Sequence, residues 1–145
     1  MMIRLLYVSR AAKPAPAAET PEAIEAILAQ SRAHNMSNGI TGILCYGGGV
    51  YLQAIEGGRN AVNALYNTLV HDPRHTDVVM LHYEEISERR FGGWTMGQVN
   101  LNRVNTSIVL KYSEKPELDP YAVSGSVSLA LLEELMATAS IIGRA

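Results

Sequence analysis

The stretch ITGILCYGGGVYLQAIEG, residues 40–57, contains two apolar runs that are separated by three glycines. Both runs are rich in β-forming residues, and glycines adopt the positive φ angles that a tight turn requires. The stretch therefore predicts a β-hairpin that turns at Gly47, Gly48 and Gly49. A phosphate-binding loop is disfavoured, because the glycines lead into a strand rather than a helix and no Lys-Ser or Lys-Thr pair follows them.

The segments on both sides of the hairpin carry alternating strand and helix patterns. The remaining predicted elements, in chain order, are a strand at 2–9, a proline-rich extended connector at 11–21, a helix from Pro21 to about Asn35, a helix from 58 to 71, and strands at 78–83 and 94–100. Thr20 and Pro21 mark the start of the first helix, because a hydroxyl caps free N–H groups and proline suits the first helical position. The order βαββαββ predicts an α+β fold, the ferredoxin-like sandwich.

Residues 101–145 are predicted to form a helical C-terminal extension to a unit that spans residues 1–100. Within the extension, residues 126–142 are expected to form an amphipathic helix. Its apolar stripe consists of Leu129, Leu132, Leu135 and Met136. The helix is expected either to cover the second face of the sheet or to contact a partner protein.

Composition and charge limit the classes of protein to which the chain can belong. The chain has 145 residues, of which 48 % are hydrophobic and 18 % charged, so a globular domain with a substantial core is expected. Its formal net charge of −2 gives no basis for binding nucleic acid or an anionic membrane. No secretory signal or membrane-spanning run is recognisable, which favours a cytoplasmic protein.

Four polar residues occupy positions where the pattern calls for apolar ones. In the first helix, the apolar stripe that includes Leu28 continues onto Ser31 and Asn35. The alternation of the strands places Tyr7 and Gln53 among apolar neighbours. An unpaired buried polar group costs about 1–3 kcal/mol against a total stability of about 5–15 kcal/mol, so all four need partners. They bind either each other and the backbone, or a flat polar ligand between helices and sheet.

Five separate motifs in this order resemble the BLUF family of flavin-based blue-light sensor domains. The motifs are LLYVS at 5–9, SRAHNMSNGITG at 31–42, VYLQAIEG at 50–57, DPRH at 72–75 and RRFGGWTM at 89–96. The resemblance covers about residues 2–100. It implies that FAD binds noncovalently between the two helices. The cofactor-binding residues that it implies are Tyr7, Ser31, Asn35, Gln53, Arg74 and His75.

The resemblance also implies a signalling mechanism. Tyr7 is expected to donate an electron and a proton, and Gln53 to switch its hydrogen bonds by rotation or tautomerisation. Trp94 and Met96, both expected on one side of the fifth strand, would relay the change to the C-terminal extension. No attached catalytic or DNA-binding domain is recognisable, so the predicted output is a separate effector protein of unknown identity. A homo-oligomer is also expected.

Several other functions are less consistent with the sequence. A regulatory module that binds a small molecule without photochemistry is the main alternative. An acyl-phosphate hydrolase would need a glycine-rich anion cradle after the first strand, and the sequence there lacks one. No nucleophile–base pair is recognisable that would indicate another enzyme. Cys45 is interpreted as a buried apolar residue rather than a flavin-adduct thiol, and as a single cysteine it can form no internal disulfide. The four histidines lack the spacing of metal ligands.

Overall fold

The computed structural model describes residues 1–138, 141 and 143. Its sheet has five strands in the order β4-β1-β3-β2-β5. The strands are β1 (Met2–Ala11), β2 (Thr41–Gly47), β3 (Val50–Gly58), β4 (His75–Ile86) and β5 (Gly97–Asn100). Neighbouring strands are antiparallel except for β2 and β5, which are parallel. The predicted α+β, ferredoxin-like arrangement is confirmed, although the fifth strand begins at Gly97 instead of Trp94.

Five α-helices and one short 3₁₀ turn complete the described part of the chain. They are α1 (Ala15–Ala18), α2 (Pro21–Asn38), α3 (Arg59–Leu69), the 3₁₀ turn Leu101–Arg103, α4 (Thr106–Leu110) and α5 (Gly125–Ala137). The predicted cap of α2 is confirmed, because Ala23 N donates to Thr20 Oγ1 at 3.1 Å. The helix continues beyond Asn35 to Asn38, and Gly39, with a φ of 66°, caps its end. The proline-rich connector is not extended throughout, since it contains α1.

The central hairpin is present as predicted. Strand β2 passes into β3 through Gly48 and Gly49, whose φ angles are 60° and 80°. Successive positive φ angles are favoured in two-residue hairpin turns because their twist matches that of the strands. Position 42 also requires glycine, because a Cβ atom there would lie 2.1 Å from the carbonyl oxygen of Ala54.

The inner face of the sheet packs against α2 and α3. Its buried residues on β1 and β3 are Ile3, Leu5, Tyr7, Tyr51 and Ile55. The alternation predicted for both strands is therefore confirmed. Two polar side chains at the same face, Asn35 and Gln53, are also buried.

The outer face of the sheet is covered by α5, as the first of the two roles considered for this helix predicts. The residues of this outer core include Leu6, Val8, Leu52, Phe91, Trp94, Leu129, Leu131, Leu132 and Leu135. Met136 is partly buried against them. Residues 139, 140 and 142 of the predicted helix lie outside the described residues. Within the described part of the chain, no helix is both long and apolar enough to span a bilayer.

Candidate functional site

Tyr7 and Gln53 form a buried polar pair at the centre of the inner face. They are directly opposite in the register of β1 and β3 and are 3 % and 4 % exposed. Tyr7 Oη donates a hydrogen bond to Gln53 Oε1. Gln53 Nε2 in turn donates to Met96 Sδ at 3.5 Å. The amide of Gln53 thus connects a phenol on one side with a sulfur atom on the other.

Burial keeps the Tyr7 phenol protonated. Loss of solvation raises the pKa of Tyr7 far above its ordinary value of 10, and the negative charge of Asp72 raises the pKa further. The aromatic ring of Tyr66 lies with its centroid 5.9 Å from that of Tyr7, and His75 lies at 6.0 Å. At neutral pH, the Tyr7 phenol therefore keeps its proton and acts as a hydrogen-bond donor.

Asn35 presents an unused acceptor in the interior. Its side chain is 1 % exposed, and Nδ2 donates to the carbonyl oxygen of Thr95 at 2.7 Å. This bond fixes the orientation of the amide, because only the NH₂ group can donate to a carbonyl. Oδ1 is buried and accepts no hydrogen bond from any described residue. A ligand N–H would satisfy this oxygen, which otherwise costs about 1–3 kcal/mol.

A cavity between α2, α3 and the sheet brings together five of the predicted cofactor-binding residues. It is lined by Tyr7, Ser31, Gln53, Arg74 and His75, among others. Asn35 lies one turn beyond Ser31 on α2. The cavity has a volume of about 40 Å³, so a tricyclic ring fits only when lining side chains move outwards. Its mixed donors and acceptors match the polar edge of a flavin.

The DPRH segment places one half-exposed cation and one buried imidazole at the cavity. Arg74 Nη2 binds Asp72 Oδ2 at 2.6 Å, and this bond lowers the pKa of Asp72. His75 Nδ1 is 2.7 Å from Ser9 Oγ, while Nε2 bonds to the carbonyl oxygen of Leu69. Protein groups therefore engage both ring nitrogens of His75. Arg74 is the more accessible of the two for a ligand.

The expectation that Trp94 and Met96 share one side of a strand is wrong. Both residues precede β5, in an irregular segment to which the alternation of a strand does not apply. Met96 is fully buried in the inner core beside Gln53, whereas Trp94 packs in the outer core with α5. Arg32 Nε also donates to the carbonyl oxygen of Met96 at 3.2 Å. Met96, and not Trp94, is therefore the residue that faces the site.

A buried ion pair that the sequence analysis did not identify anchors the segment before Trp94. Glu56 is fully buried and binds Arg4 at 2.7 Å. Its carboxylate also accepts hydrogen bonds from the backbone N–H groups of Arg90, at 3.1 Å, and Phe91, at 2.6 Å. Arg4 and Glu56 are partners in the register of β1 and β3. The sequence signal that could have identified this pair is the presence of opposite charges, Arg4 and Glu56, within two otherwise apolar strands.

Cys45 lies on the outer face and not at the cavity. It is fully buried among apolar residues, and burial raises the pKa of its thiol. Its interpretation as a small buried apolar residue is confirmed.

Comparison with known proteins identifies the family. The family model described as sensors of blue-light using FAD matches residues 2–97. The photoactivated adenylate cyclase subunit beta of Euglena longa is 37 % identical over 93 residues, which are 63 % of this chain and 10 % of that protein. The blue light- and temperature-regulated antirepressor BluF of Escherichia coli (strain K12) is 32 % identical over 92 residues, 63 % of this chain and 22 % of that protein.

A solved structure extends the similarity to most of the chain. The dark-state structure of BlrB, a BLUF protein, superposes with a TM-score of 0.76 at 31 % sequence identity and covers 95 % of this chain and 96 % of that chain. The chain spans only about a tenth of the length of its Euglena relative. The matched residues contain Tyr7, Asn35 and Gln53. The chain therefore belongs to the BLUF family, the sensors of blue light using FAD.

Proposed function

We propose that this chain is a blue-light photoreceptor that binds FAD noncovalently between α2, α3 and the sheet and signals to a separate effector protein. The observation that carries the proposal is the buried hydrogen-bonded series from Tyr7 through Gln53 to Met96. A series of this kind has two hydrogen-bonded arrangements, because an amide can exchange the positions of its donor and its acceptor. Absorption of a photon can therefore change the series from one hydrogen-bonded arrangement to the other without forming a covalent bond to the flavin.

Bound FAD supplies absorption of blue light and, when excited, an acceptor for one electron. Tyr7 is positioned to be the donor, since its phenol is buried at the cavity and donates a hydrogen bond to Gln53. Loss of an electron makes a phenol strongly acidic, so the proton moves along the existing bond to Gln53 Oε1. Return of the electron and the proton regenerates the phenol and leaves Gln53 free to settle in its second arrangement.

Gln53 acts as the switch in this proposal. In the arrangement described above, Oε1 faces Tyr7 and Nε2 faces Met96. Rotation or tautomerisation presents a donor to Tyr7 instead, and the contact with Met96 Sδ is then lost. Asn35 Oδ1 and the neighbouring hydroxyl of Ser31 hold the ring edge while the amide changes.

The signal leaves the site through the irregular segment before β5. Met96 contacts Gln53 on the inner face, and Trp94 contacts the core beneath α5 on the outer face. Arg90 extends this connection, because its guanidinium forms an ion pair with Glu133 of α5. We assign flavin binding to residues 1–100 and output to residues 101–145, with a partner protein that reads the position or stability of α5. This division of roles makes the chain a sensor without a reaction of its own.

An absorption spectrum of the purified protein before and after blue light tests the proposal. We expect oxidised-flavin absorption that shifts slightly to longer wavelength in the light and recovers in the dark. Denaturation should release intact FAD. A protein that takes up flavin without any light-induced shift would support the alternative of a non-photochemical binding module, and a protein that takes up no flavin would refute both.

A further inference from the structure

Two described residues that follow α5 lie close to the start of β5 and to α2. Ile141 is partly buried against the outer core, and a Cβ atom at position 97 would lie 2.6 Å from its Cγ2 atom. Ile141 therefore occupies the space that the glycine at position 97 leaves. At position 143, a Cβ atom would lie 2.5 Å from Arg32 Nη2 and 3.7 Å from the carbonyl oxygen of Met96. We call Ile141 and Gly143 the terminal pair.

Arg32 of α2 lies between Met96 and the terminal pair. Its Nε donates to the carbonyl oxygen of Met96 at 3.2 Å, and its Nη2 is the atom nearest to position 143. The remaining nitrogen, Nη1, is 3.9 Å from Glu25 Oε1. Glu25 is 65 % exposed, so this ion pair contributes little to the position of Arg32. One guanidinium thus connects the carbonyl group of Met96 with the terminal pair.

Met96 in turn connects Arg32 with the proposed switch. Its Sδ atom accepts from Gln53 Nε2 at 3.5 Å, while its carbonyl oxygen accepts from Arg32. The preceding carbonyl oxygen, that of Thr95, is held by Asn35 Nδ2 at 2.7 Å. The 3.2 Å bond of Arg32 is at the long end of the range for N–H···O bonds, so it is the weaker of the two. A displacement of Met96 therefore breaks the bond to Arg32 first.

We propose that Arg32 is a positioning residue that holds the terminal pair in place in the dark and releases it in the light. The inference rests on the proposed function, because it requires the amide of Gln53 to change its arrangement. When Gln53 Nε2 turns away, Met96 loses its polar side-chain contact and shifts, and its carbonyl oxygen separates from Arg32. The guanidinium then leaves its place beside the terminal pair, which separates from the start of β5.

Labelling of Ile141→Cys with a thiol reagent measures how often the terminal pair is released. The substitution is combined with Cys45→Ala, so that the thiol at position 141 is the only one in this parent protein. The parent with bound FAD is labelled in the dark and under blue light. We expect light to raise the labelling rate at least about fivefold, the lower end of the usual coupling between two sites.

The same samples separate failure of this inference from failure of the proposed function. Equal labelling in the dark and in the light, in a protein that shows the flavin shift, would overturn the inference and leave the proposed function intact. The absence of any flavin shift would refute the proposed function and the light-driven release together.

Substitutions at Arg32 test its role without a need for light. In the dark, Arg32→Gln should raise the labelling rate to that of the illuminated parent, while the flavin shift remains, because Arg32 is outside the lining of the flavin cavity. Arg32→Lys should behave in the same way, since one ammonium group cannot contact both Met96 and position 143. Glu25→Gln removes the other partner of Arg32 and is the matched control, with unchanged rates. Unchanged dark labelling in Arg32→Gln would overturn the inference.

Gly143→Ala tests the contact from its other side. Gly143 has a φ of 88°, and an added methyl group would overlap Arg32 Nη2. We expect the same rise in dark labelling as in Arg32→Gln, and no further rise when the two substitutions are combined, because both break one contact. Gly58→Ala adds a Cβ atom with nothing within 4 Å and should label like the parent. Independent, multiplying effects of Arg32→Gln and Gly143→Ala on the labelling rate would contradict the inference.

Discussion

Met96 and Trp94 are separated by one residue, yet their side chains lie on opposite sides of the sheet. Met96 contacts Gln53 in the inner core, and Trp94 belongs to the outer core under α5. The backbone between them is fixed on the inner side, because Thr95 O accepts from Asn35 and Met96 O accepts from Arg32. We therefore propose that a change at Gln53 reaches the outer face through the two peptide bonds between Met96 and Trp94.

Replacing Met96 by leucine should slow dark recovery. Leucine keeps the apolar volume but removes the Sδ acceptor of Gln53 Nε2, a contact of the amide arrangement that we assign to the dark state. Sulfur is a weak acceptor, so we expect a change in the recovery rate of less than about tenfold. The decay of the light-induced spectral shift measures it. Met80→Leu, at an exposed position on β4, should leave the rate unchanged.

Tyr7→Phe should abolish the light-induced shift and preserve flavin binding. The substitution removes only the hydroxyl that donates to Gln53 Oε1, and the ring remains in the inner core. Difference spectra after blue light check the first expectation, and the flavin content of the purified variant checks the second. Tyr66→Phe removes a hydroxyl from the neighbouring ring and should keep the shift. A full shift in Tyr7→Phe would exclude Tyr7 as the donor.

Asn35→Ala should weaken the binding of FAD. The variant loses the buried Oδ1 atom that we assign to a flavin N–H, together with the bond to Thr95 O. A loss of about 1–3 kcal/mol corresponds to a Kd that is about five- to 150-fold higher. Titration of the flavin-free variant measures the Kd. Asn38→Ala, near the exposed end of α2, removes only a bond to His34 O and should bind FAD like the unmodified chain.

Glu56→Gln should destabilise the fold much more than Glu133→Gln. The first substitution removes the buried one of the two carboxylates that pair with the Arg4 guanidinium and leaves only the half-exposed Glu84 as its partner. Loss of one member of a buried pair typically costs about 3–5 kcal/mol, and the remaining carboxylate reduces that cost. Glu133 forms its ion pair with Arg90 at the surface, where such a pair contributes about 0–1 kcal/mol. The free energy of unfolding in urea measures both. Similar losses of unfolding free energy in the two variants would contradict the expectation that the buried pair stabilises the fold more than the surface pair.

Stability should fall above about pH 9. Burial raises the pKa of Cys45 above 9.0 and that of Tyr7 above 10.0, so the folded state retains protons that the unfolded chain loses. Each group contributes its full stabilisation below its ordinary pKa, and this is lost as the pH rises towards its pKa in the folded state. Each contributes a slope of up to about 1.4 kcal/mol per pH unit. Urea unfolding at pH 8–11 should show shallower slopes in Cys45→Ala and Tyr7→Phe.

Regular strands made half of the site predictable from the sequence. Tyr7 and Gln53 lie in uninterrupted strands, where side chains alternate strictly, so their common face follows from the spacing of their neighbours. Ser31 and Asn35 are four residues apart on one helix, so their common face follows in the same way. The capping residue Thr20 was predictable because its cap is local.

The other half depends on contacts that no local pattern specifies. Trp94 and Met96 lie outside any regular element, so neither the helical period nor the alternation of a strand predicts which side of the sheet each side chain faces. The pairing of Arg4 with Glu56 depends on the register between β1 and β3, which is set by the whole hairpin and its packing. The short helix α1 forms in a proline-rich segment because tertiary contacts at Ala12 and Glu19 hold its ends.

The position of α5 has a consequence for the synthesis of the protein on the ribosome. The apolar outer face that contains Leu6 and Leu52 is complete once β5 has been made, but Leu131 and Leu135, which cover it, are made later. At roughly 5–20 residues per second, about 1–5 s separate the end of β5 from the start of α5 on the ribosome. During this interval the nascent chain exposes an uncovered apolar sheet, the kind of surface to which chaperones bind. The yield of folded protein is therefore expected to depend on protection of the growing chain until α5 has been made.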